Sequence, residues 1–333
     1  MYIEKEDKLF SDGRHNAFTD IDIWKGKYYI FFRSADSHAS PHEVDSSSKI
    51  GLGHITLMES IDAKNWSPFV VMDTRWDDRD PKLLATKDRL YVFATSMHGD
   101  GYREASQETL VTYTEDGSSW TDPVSAYRYG YGFWKPKKYD GDYYVAADVD
   151  EAPIEASIQE KGRVELLRSR DGLHWQKISV ITEGNSCTET SLVFLDKSSL
   201  IALIRQKGVQ SPLISRHPFS NWDPLMDTPN FGLQGPAAEL IGETVLFSCR
   251  VHKNIFPAEQ PWIARTGIFT MDVASGELHW QFNMPTQWGG DVSYAGILPV
   301  GKDRALISYY DGQPYKDGES QQSDIMLATI VVN

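Results

Sequence analysis

The chain has 333 residues, a formal net charge of −14 and no cluster of lysines or arginines to offset it, which argues against nucleic acid and against an anionic membrane surface as partners. No run of 18 apolar residues is present, so no membrane-spanning helix is expected. Aromatics at 12%, with 25 Gly and 16 Pro, suit many short strands joined by turns.

The chain opens on MYIEKEDKLF, which lacks the shape of a signal peptide. A cytoplasmic protein is expected, or a secreted or periplasmic one whose signal was removed. Six apolar runs opened by a turn then follow in order: KYYIFFR (27–33), RLYVFAT (89–95), DYYVAAD (142–148), SLIALIR (199–205), TVLFSCR (244–250) and RALISYY (304–310). Each is followed by a second β-rich run: HITLMES, ETLVTYT, RVELLRS, SPLISRH, RTGIFTM and DIMLATI. Between units lies a turn ending in Trp. Ser169-Arg-Asp-Gly-Leu-His-Trp175 and Thr114-Glu-Asp-Gly-Ser-Ser-Trp120 share one frame, and Ser60-Ile-Asp-Ala-Lys-Asn-Trp66 keeps it with Ala for Gly. Looser copies end at Trp222 and Trp280. The five tryptophans are 54, 55, 47 and 58 residues apart, a period that signals propeller blades.

These elements predict an all-β fold: a six-bladed β-propeller of four-stranded antiparallel blades in one domain spanning residues 1–333. The last unit has no Trp turn and lacks a fourth strand. Residues 1–10 are expected to supply it by pairing with residues 324–332, closing the ring and removing two exposed sheet edges. The loop 35–49 is the longest polar interruption and is expected to project from the first blade.

Aligning the six apolar runs gives one column at their seventh position: Arg33, Thr95, Asp148, Arg205, Arg250 and Tyr310. All should face one mouth of the propeller. Three arginines ending apolar strands favour a shared anionic ligand, since a guanidinium offers a fixed fork of donors suited to a carboxylate. The alternative for each is an acidic partner inside the protein. Carboxylates are expected at the mouth from the preceding strands: Asp20 after His15 and Asn16, Asp80 after Arg79, Glu189 in TETS, and Asp291 in GGDVSY ahead of Tyr294. For each of these the alternative is a turn or cap acid, and for Tyr294 a core aromatic. Trp134 and Lys135 suit a ring-stacking platform with a donor. His15, His38, His42 and His98 match no metal-ligand spacing, so no metal is expected, and His15 is read as contacting substrate or orienting Asp20. Cys187 and Cys249 have no metal-like spacing, and no nucleotide-binding motif is present, so no cofactor is expected.

The S/T-x-D-G-x-x-W turns resemble the Asp-boxes of the sialidase superfamily, which are six-bladed propellers. HNAFTD (15–20), RDPKL (79–83), TETS (188–191), LIALIR (200–205) and GGDVSYAG (289–296) are similar to segments of sialidase-like glycoside hydrolases. The resemblance implies an exo-acting glycosidase that removes a terminal, anionic sugar from a glycan. It also implies an arginine triad on the sugar's carboxylate, matched by Arg33, Arg205 and Arg250. Arg33 ends a second strand, whereas the family's first arginine commonly starts a blade, so Arg14 or Arg79 are further candidates for that role. Tyr294 matches the nucleophile and Glu189 its partner; Asp80 is the choice for the acid/base, with Asp20 in reserve. Three other functions stay open: a neutral-sugar hydrolase of arabinanase type using Asp20, Asp80 and Glu189, a lyase on uronic-acid polysaccharide, and a non-catalytic carbohydrate-binding propeller. The sugar, its linkage and the oligomeric state are not specified.

Overall fold

The computed structural model describes residues 1–38, 52–98, 107–149, 162–206, 212–226, 233–251, 264–314 and 322–332, and every regular element among them is a β-strand. Most of the 35–49 loop, His42 included, lies outside the described residues. After β1 (Tyr2–Phe10) come β2 (His15–Trp24), β3 (Lys27–Ala35), β4 (His54–Ser60) and β5 (Ser67–Met72). The second group is β6 (Asp77–Ala85), β7 (Leu90–Met97), β8 (Gln107–Thr114) and β9 (Val124–Ser125). The third is β10 (Tyr131–Phe133), β11 (Lys137–Tyr139), β12 (Asp142–Val149), β13 (Arg163–Ser169) and β14 (Trp175–Glu183). Next are β15 (Thr190–Asp196), β16 (Ser199–Ile204), β17 (Leu213–Arg216) and β18 (Asp223–Pro224). The chain continues with β19 (Gln234–Ile241), β20 (Thr244–Val251), β21 (Arg265–Met271) and β22 (Leu278–Asn283), then β23 (Val292–Pro299), β24 (Arg304–Gly312) and β25 (Ser323–Val331).

The six apolar runs form β3, β7, β12, β16, β20 and β24, each a strand paired on both sides. That explains why they are continuously apolar rather than alternating: both faces pack against neighbouring sheets. First strands of successive groups touch, with β2 against β6 and β23, β23 against β19, and β19 against β15. The arrangement is that of a β-propeller. Side chains of adjacent groups interlock between the sheets. Phe93 of β7 meets Phe133 of β10 and Trp175 of β14 at ring-centroid separations of 5.8 and 6.0 Å. Full burial of each such aromatic contributes about 1.5–3 kcal/mol.

The strands pair into five sheets, one of eight strands, one of five and three of four, rather than six separate sheets of four. Two local features cause the difference. A single parallel bridge, His15↔Ser323, fuses the β23–β24–β25 group to β2–β3–β4–β5, with Ser323 Oγ donating to the Asn16 carbonyl at 2.7 Å. In the third group, Lys135-Pro136 interrupts the first strand, and β11 joins β12 as a fifth short strand. At the termini, β1 runs antiparallel to β25, from Tyr2↔Val331 to Phe10↔Ile325. The N-terminal segment thus covers the edge the last group would otherwise expose.

Four of the five Trp-ended turns share one hydrogen-bond pattern. Asp171 Oδ1 accepts from the backbone N–H of Leu173 at 2.9 Å and of His174 at 2.8 Å, and Ser169 Oγ donates to it at 3.0 Å. Asp62 and Asp116 repeat this, and Asp272 accepts from Ala274 and Ser275 N–H at 2.9 and 2.8 Å. Gly117 and Gly172 sit at φ 86° and 82°, while Ala63, at the same place, takes φ 55°. Those donors hold the turn carboxylates well below the ordinary Asp range. Two tryptophans depart from the frame. The segment before Trp222, HPFSN, has no Asp to build the turn. Trp280 lies inside β22 and is 48% exposed, so it does not lead back into the core as Trp175 does.

Candidate active site

Four of the first strands share a defect that the repeats did not announce. Ala17 pairs with Arg33 but Asp20 pairs with Phe31; Arg79 with Thr95 but Lys82 with Phe93; Gln234 with Arg250 but Ala237 with Ser248; Ser293 with Tyr310 but Gly296 with Ser308. Each step places two residues opposite one, a β-bulge. The first bulged residue is left-handed every time: Phe18 at φ 58°, Asp80 at 51°, Gly235 at 60° and Tyr294 at 47°. Only Gly adopts this without strain, and the three others each cost of order 1–2 kcal/mol. The bulges re-aim side chains at one end of the sheets. The register also shows that Arg33, Thr95, Asp148, Arg250 and Tyr310 occupy equivalent places, each opposite the residue before the bulge or its counterpart.

A cavity of about 460 Å³ opens at this end. Its walls include Arg79, Asp80, Trp134, Glu189 and Arg205, five of the expected site residues. Thr95 and Asp148 of the column line it as well, together with Phe133, Gln107, Ser186, Leu233 and Gln234, which carry no signal in the sequence. The volume falls within the range of about 300–1,000 Å³ typical of small-molecule sites.

Glu189, in this wall, meets Tyr294, which lies 105 residues on in the chain and packs behind the wall without lining the cavity. The Tyr294 hydroxyl donates to Glu189 Oε1 at 2.8 Å and accepts from Arg205 Nη1 at 3.0 Å. Arg205 Nη1 also donates to Glu189 Oε1 at 2.5 Å, and the Gly235 N–H donates to Oε2 at 2.8 Å. Burial, then the Glu189 charge, push the Tyr294 phenol well above its ordinary pKa, opposed by Arg205 and Arg250. The phenol is therefore held protonated with a carboxylate placed to take its proton. The ring is only 6% exposed, packed on Phe18 at 5.1 Å with the Arg250 guanidinium 4.9 Å from its centroid.

Asp80 is held by its strained backbone rather than by partners, for its Oδ1 is buried without a hydrogen bond. Burial first, and Glu189 among the nearby charges, raise its pKa; Lys82, Arg79 and His38 pull the other way. The balance favours the protonated acid.

Of the remaining expected residues, most are brought near the cavity but not into it. Arg33 is fully buried and spent within the protein, with Nε on Asp77 at 2.8 Å and Nη1 on His15 Nδ1 at 3.1 Å. Arg250 Nη2 donates to Asp291 Oδ1 at 2.6 Å and Nε to the Val292 carbonyl at 2.8 Å. The expected triad is thus not assembled in the cavity: of the three, Arg205 alone lines it, joined by Arg79, whose Nε is held by Asp77 at 2.9 Å. The acidic partner inside the protein, the alternative for each arginine, describes all four. Asp20 is not at the mouth. It accepts from Lys135 Nζ and from the Leu83 N–H, both at 2.7 Å, which ties the first group to the third and the second and removes Asp20 and Lys135 from the expected site. Asn16 is a closure residue, donating to the Ser323 carbonyl at 3.3 Å. Tyr310 donates to Asp291 Oδ1 at 2.8 Å and is fully buried. Trp134 does line the cavity, its indole N–H fixed on the Pro236 carbonyl at 2.7 Å.

His15 orients Asp291, not Asp20. Its Nε2 meets Asp291 Oδ2 at 2.8 Å, and His38 Nδ1 meets the same oxygen at 2.6 Å. These three donor atoms lie within 4.8 Å of one another, a spacing open to a metal ion. The surroundings do not fit one. Arg33 donates to His15 Nδ1, so the ring's one proton sits on Nε2, the atom a metal would need bare. Burial lowers the His15 pKa to about 4, in keeping with that neutral ring. Burial works against the Asp291 carboxylate, but Arg250 and the two histidines outweigh it and hold its pKa well below the ordinary value.

No protein-family model and no curated protein matches the chain. Solved structures do. A Dyadobacter fermentans protein of unknown function is similar over 100% of this chain and 99% of its own, with a TM-score of 0.70 at 19% identity. NanB sialidase from Streptococcus pneumoniae, as its K499G mutant, is similar over 97% of this chain and 70% of its own (TM-score 0.68, 11% identity). A Trypanosoma rangeli sialidase mutant displaying trans-sialidase activity gives a TM-score of 0.66 at 11% identity over 97% of this chain, which spans 58% of that protein's length. At such identities the likeness shows the fold: this chain is a β-propeller of the kind found in sialidases.

Proposed function

We propose that the protein is an exo-acting glycoside hydrolase of sialidase type, with Tyr294 as nucleophile, Glu189 as its base and Asp80 as acid/base. The fused eight-stranded sheet is read as two blades, giving six, with the Asp turns as Asp-boxes. The observation that carries the proposal is the Tyr294 hydroxyl shared between Glu189 at 2.8 Å and Arg205 at 3.0 Å, two residues that line the cavity. A sugar whose own carboxylate sits beside the anomeric carbon repels a carboxylate nucleophile, and a neutral phenol avoids that clash.

In the first step the Tyr294 oxygen bonds to the anomeric carbon as its proton passes to Glu189. The glycosidic C–O bond breaks and Asp80 protonates the departing oxygen. In the second step Asp80, now a carboxylate, takes a proton from the attacking water, and Tyr294 leaves with the proton returned by Glu189. Arg205 and Arg79 supply cationic donors to an anionic substrate, and Trp134 a face for its ring.

A second function is favoured by one observation. Arg33 and Arg250 are neutralised by Asp77 and Asp291, which leaves three carboxyl groups in the cavity, those of Asp80, Asp148 and Glu189, against the two arginines Arg79 and Arg205. That balance suits a neutral sugar cleaved by carboxylates. A panel of 4-methylumbelliferyl α-sialosides, arabinofuranosides and uronides separates the two. Release from the sialoside that disappears in Tyr294→Phe supports the first. Release from an arabinofuranoside that survives Tyr294→Phe but not Asp80→Asn or Glu189→Gln supports the second.

A further inference from the structure

A buried cation without an anionic hydrogen-bond partner lies beneath the cavity. Lys82 is 3% exposed and stands two residues past Asp80, on the far side of the same bulge. Its Nζ lies 4.0 Å from the centroid of the Trp134 ring. Neighbouring lysines are paired: Lys135 with Asp20 at 2.7 Å, and Lys137 with Glu239. The Lys82 ammonium has no hydrogen bond or salt bridge to any described residue, although it borders a void of about 10 Å³, room for about one water. Trp134 lines both that void and the cavity above, so the ammonium is separated from the site by one indole ring. A buried charge left unpaired is costly, and it is retained where it interacts with charge elsewhere.

We infer that Lys82 is an electrostatic positioning residue, the fixed counter-charge shared by Asp80 and Glu189. The inference rests on the glycosidase function proposed above. In that reaction Glu189 loses its negative charge on taking the Tyr294 proton, while Asp80 gains one on releasing its own. One negative charge therefore moves across the site within a step. A cation coupled to both carboxylates balances it at either end. The need is greatest at Asp80, whose Oδ1 has no hydrogen bond to stabilise the ionised form. The charged groups facing Asp80 are Lys82 and Arg79 from its own strand, His38 and Glu189. Those facing Lys82 are Asp20, Asp80, Glu189 and Lys135. Burial pulls the Lys82 ammonium towards neutrality, and the three carboxylates oppose it.

The test is a ¹³C carboxyl NMR titration of the full chain, following Asp80 assigned by its disappearance in Asp80→Asn. In Lys82→Met the Asp80 midpoint is expected to rise by about one pH unit or more, and to return towards the wild-type value in Lys82→Arg. Where a substrate of the panel is turned over, both limbs of the kcat–pH profile move to higher pH in Lys82→Met, with KM within about twofold. An unmoved Asp80 midpoint in a folded Lys82→Met overturns the inference whatever the substrate, and so does a Lys82→Arg variant that shifts as far as the Met variant. A raised midpoint in a protein that hydrolyses no glycoside supports the coupling and counts against the glycosidase function alone. Lys82→Gln gives the same reading if the Met variant does not fold.

Discussion

A methyl group placed on Gly235 would lie 2.6 Å from Cδ2 of the Tyr294 ring. Gly235 and Tyr294 are the bulged residues of neighbouring first strands, and the space a side chain would fill on one is occupied by the ring of the other. Gly235 also donates its N–H to Glu189, so one residue touches both members of the proposed nucleophile pair. Gly235→Ala meets backbone strain at φ 60° as well as the clash. It is expected to cost about 2–5 kcal/mol in chemical denaturation and to lower kcat more than it raises KM, because the tyrosine is displaced rather than the cavity closed.

Tyr294→Phe removes one oxygen and leaves the Arg205–Glu189 pair and the ring packing in place. Stability should change by only about 1 kcal/mol, while kcat falls by about 10³-fold or more and binding of an unreactive substrate analogue is nearly unchanged. Steady-state kinetics alongside calorimetric binding check this; turnover near the wild-type rate removes Tyr294 as nucleophile.

Asp80 links activity and stability with opposite signs. Its folded pKa is raised, so its contribution to stability is present below the unfolded value and is lost as pH rises through the folded one. Asp80→Asn is therefore expected to raise Tm above wild type at pH 7, with the gap closing towards pH 3, and to abolish turnover. In the wild type the same titration sets the alkaline limb of kcat, since the acid must carry its proton. A Tm difference that does not depend on pH contradicts this assignment.

His15 makes the fold sensitive to acid. Its folded pKa is about 4 against 6.5 for a free imidazole, so the unfolded chain binds more protons between those values. Stability contributed by the neutral ring is complete above pH 6.5 and is lost as pH falls towards 4. His15→Gln keeps a donor for Asp291 and an acceptor for Arg33 without a group that titrates here. Urea midpoints taken across this window should fall less steeply with acidification in the variant than in the wild type.

Much of the scaffold was legible because its signals are local. The apolar runs of β3, β7, β12, β16, β20 and β24 follow from strands covered on both faces, and the Asp-Gly turns from left-handed backbone and a carboxylate that bonds its own chain. The pairing of residues 1–10 with β25 followed from counting strands in the last repeat. Fusion of two groups into one sheet was not visible, since it depends on a single bridge between His15 and Ser323.

At the site, place in the repeat and family resemblance together pointed to Asp80, Glu189, Arg205, Trp134 and Tyr294, but not to what each side chain meets. Arg33, Arg205 and Arg250 are equivalent in the repeat and differ in fate because the carboxylate opposite each comes from elsewhere in the chain: Asp77 at 44 residues' separation, Glu189 at 16 and Asp291 at 41. A repeat fixes where a side chain emerges, whereas burial of a charge is settled by whichever acid the neighbouring sheet presents within hydrogen-bond distance. The bulges that aim Asp80 and Tyr294 were hidden for the same reason. An extra residue in a strand is defined only by its partner's register, and that register exists only once the sheets are packed.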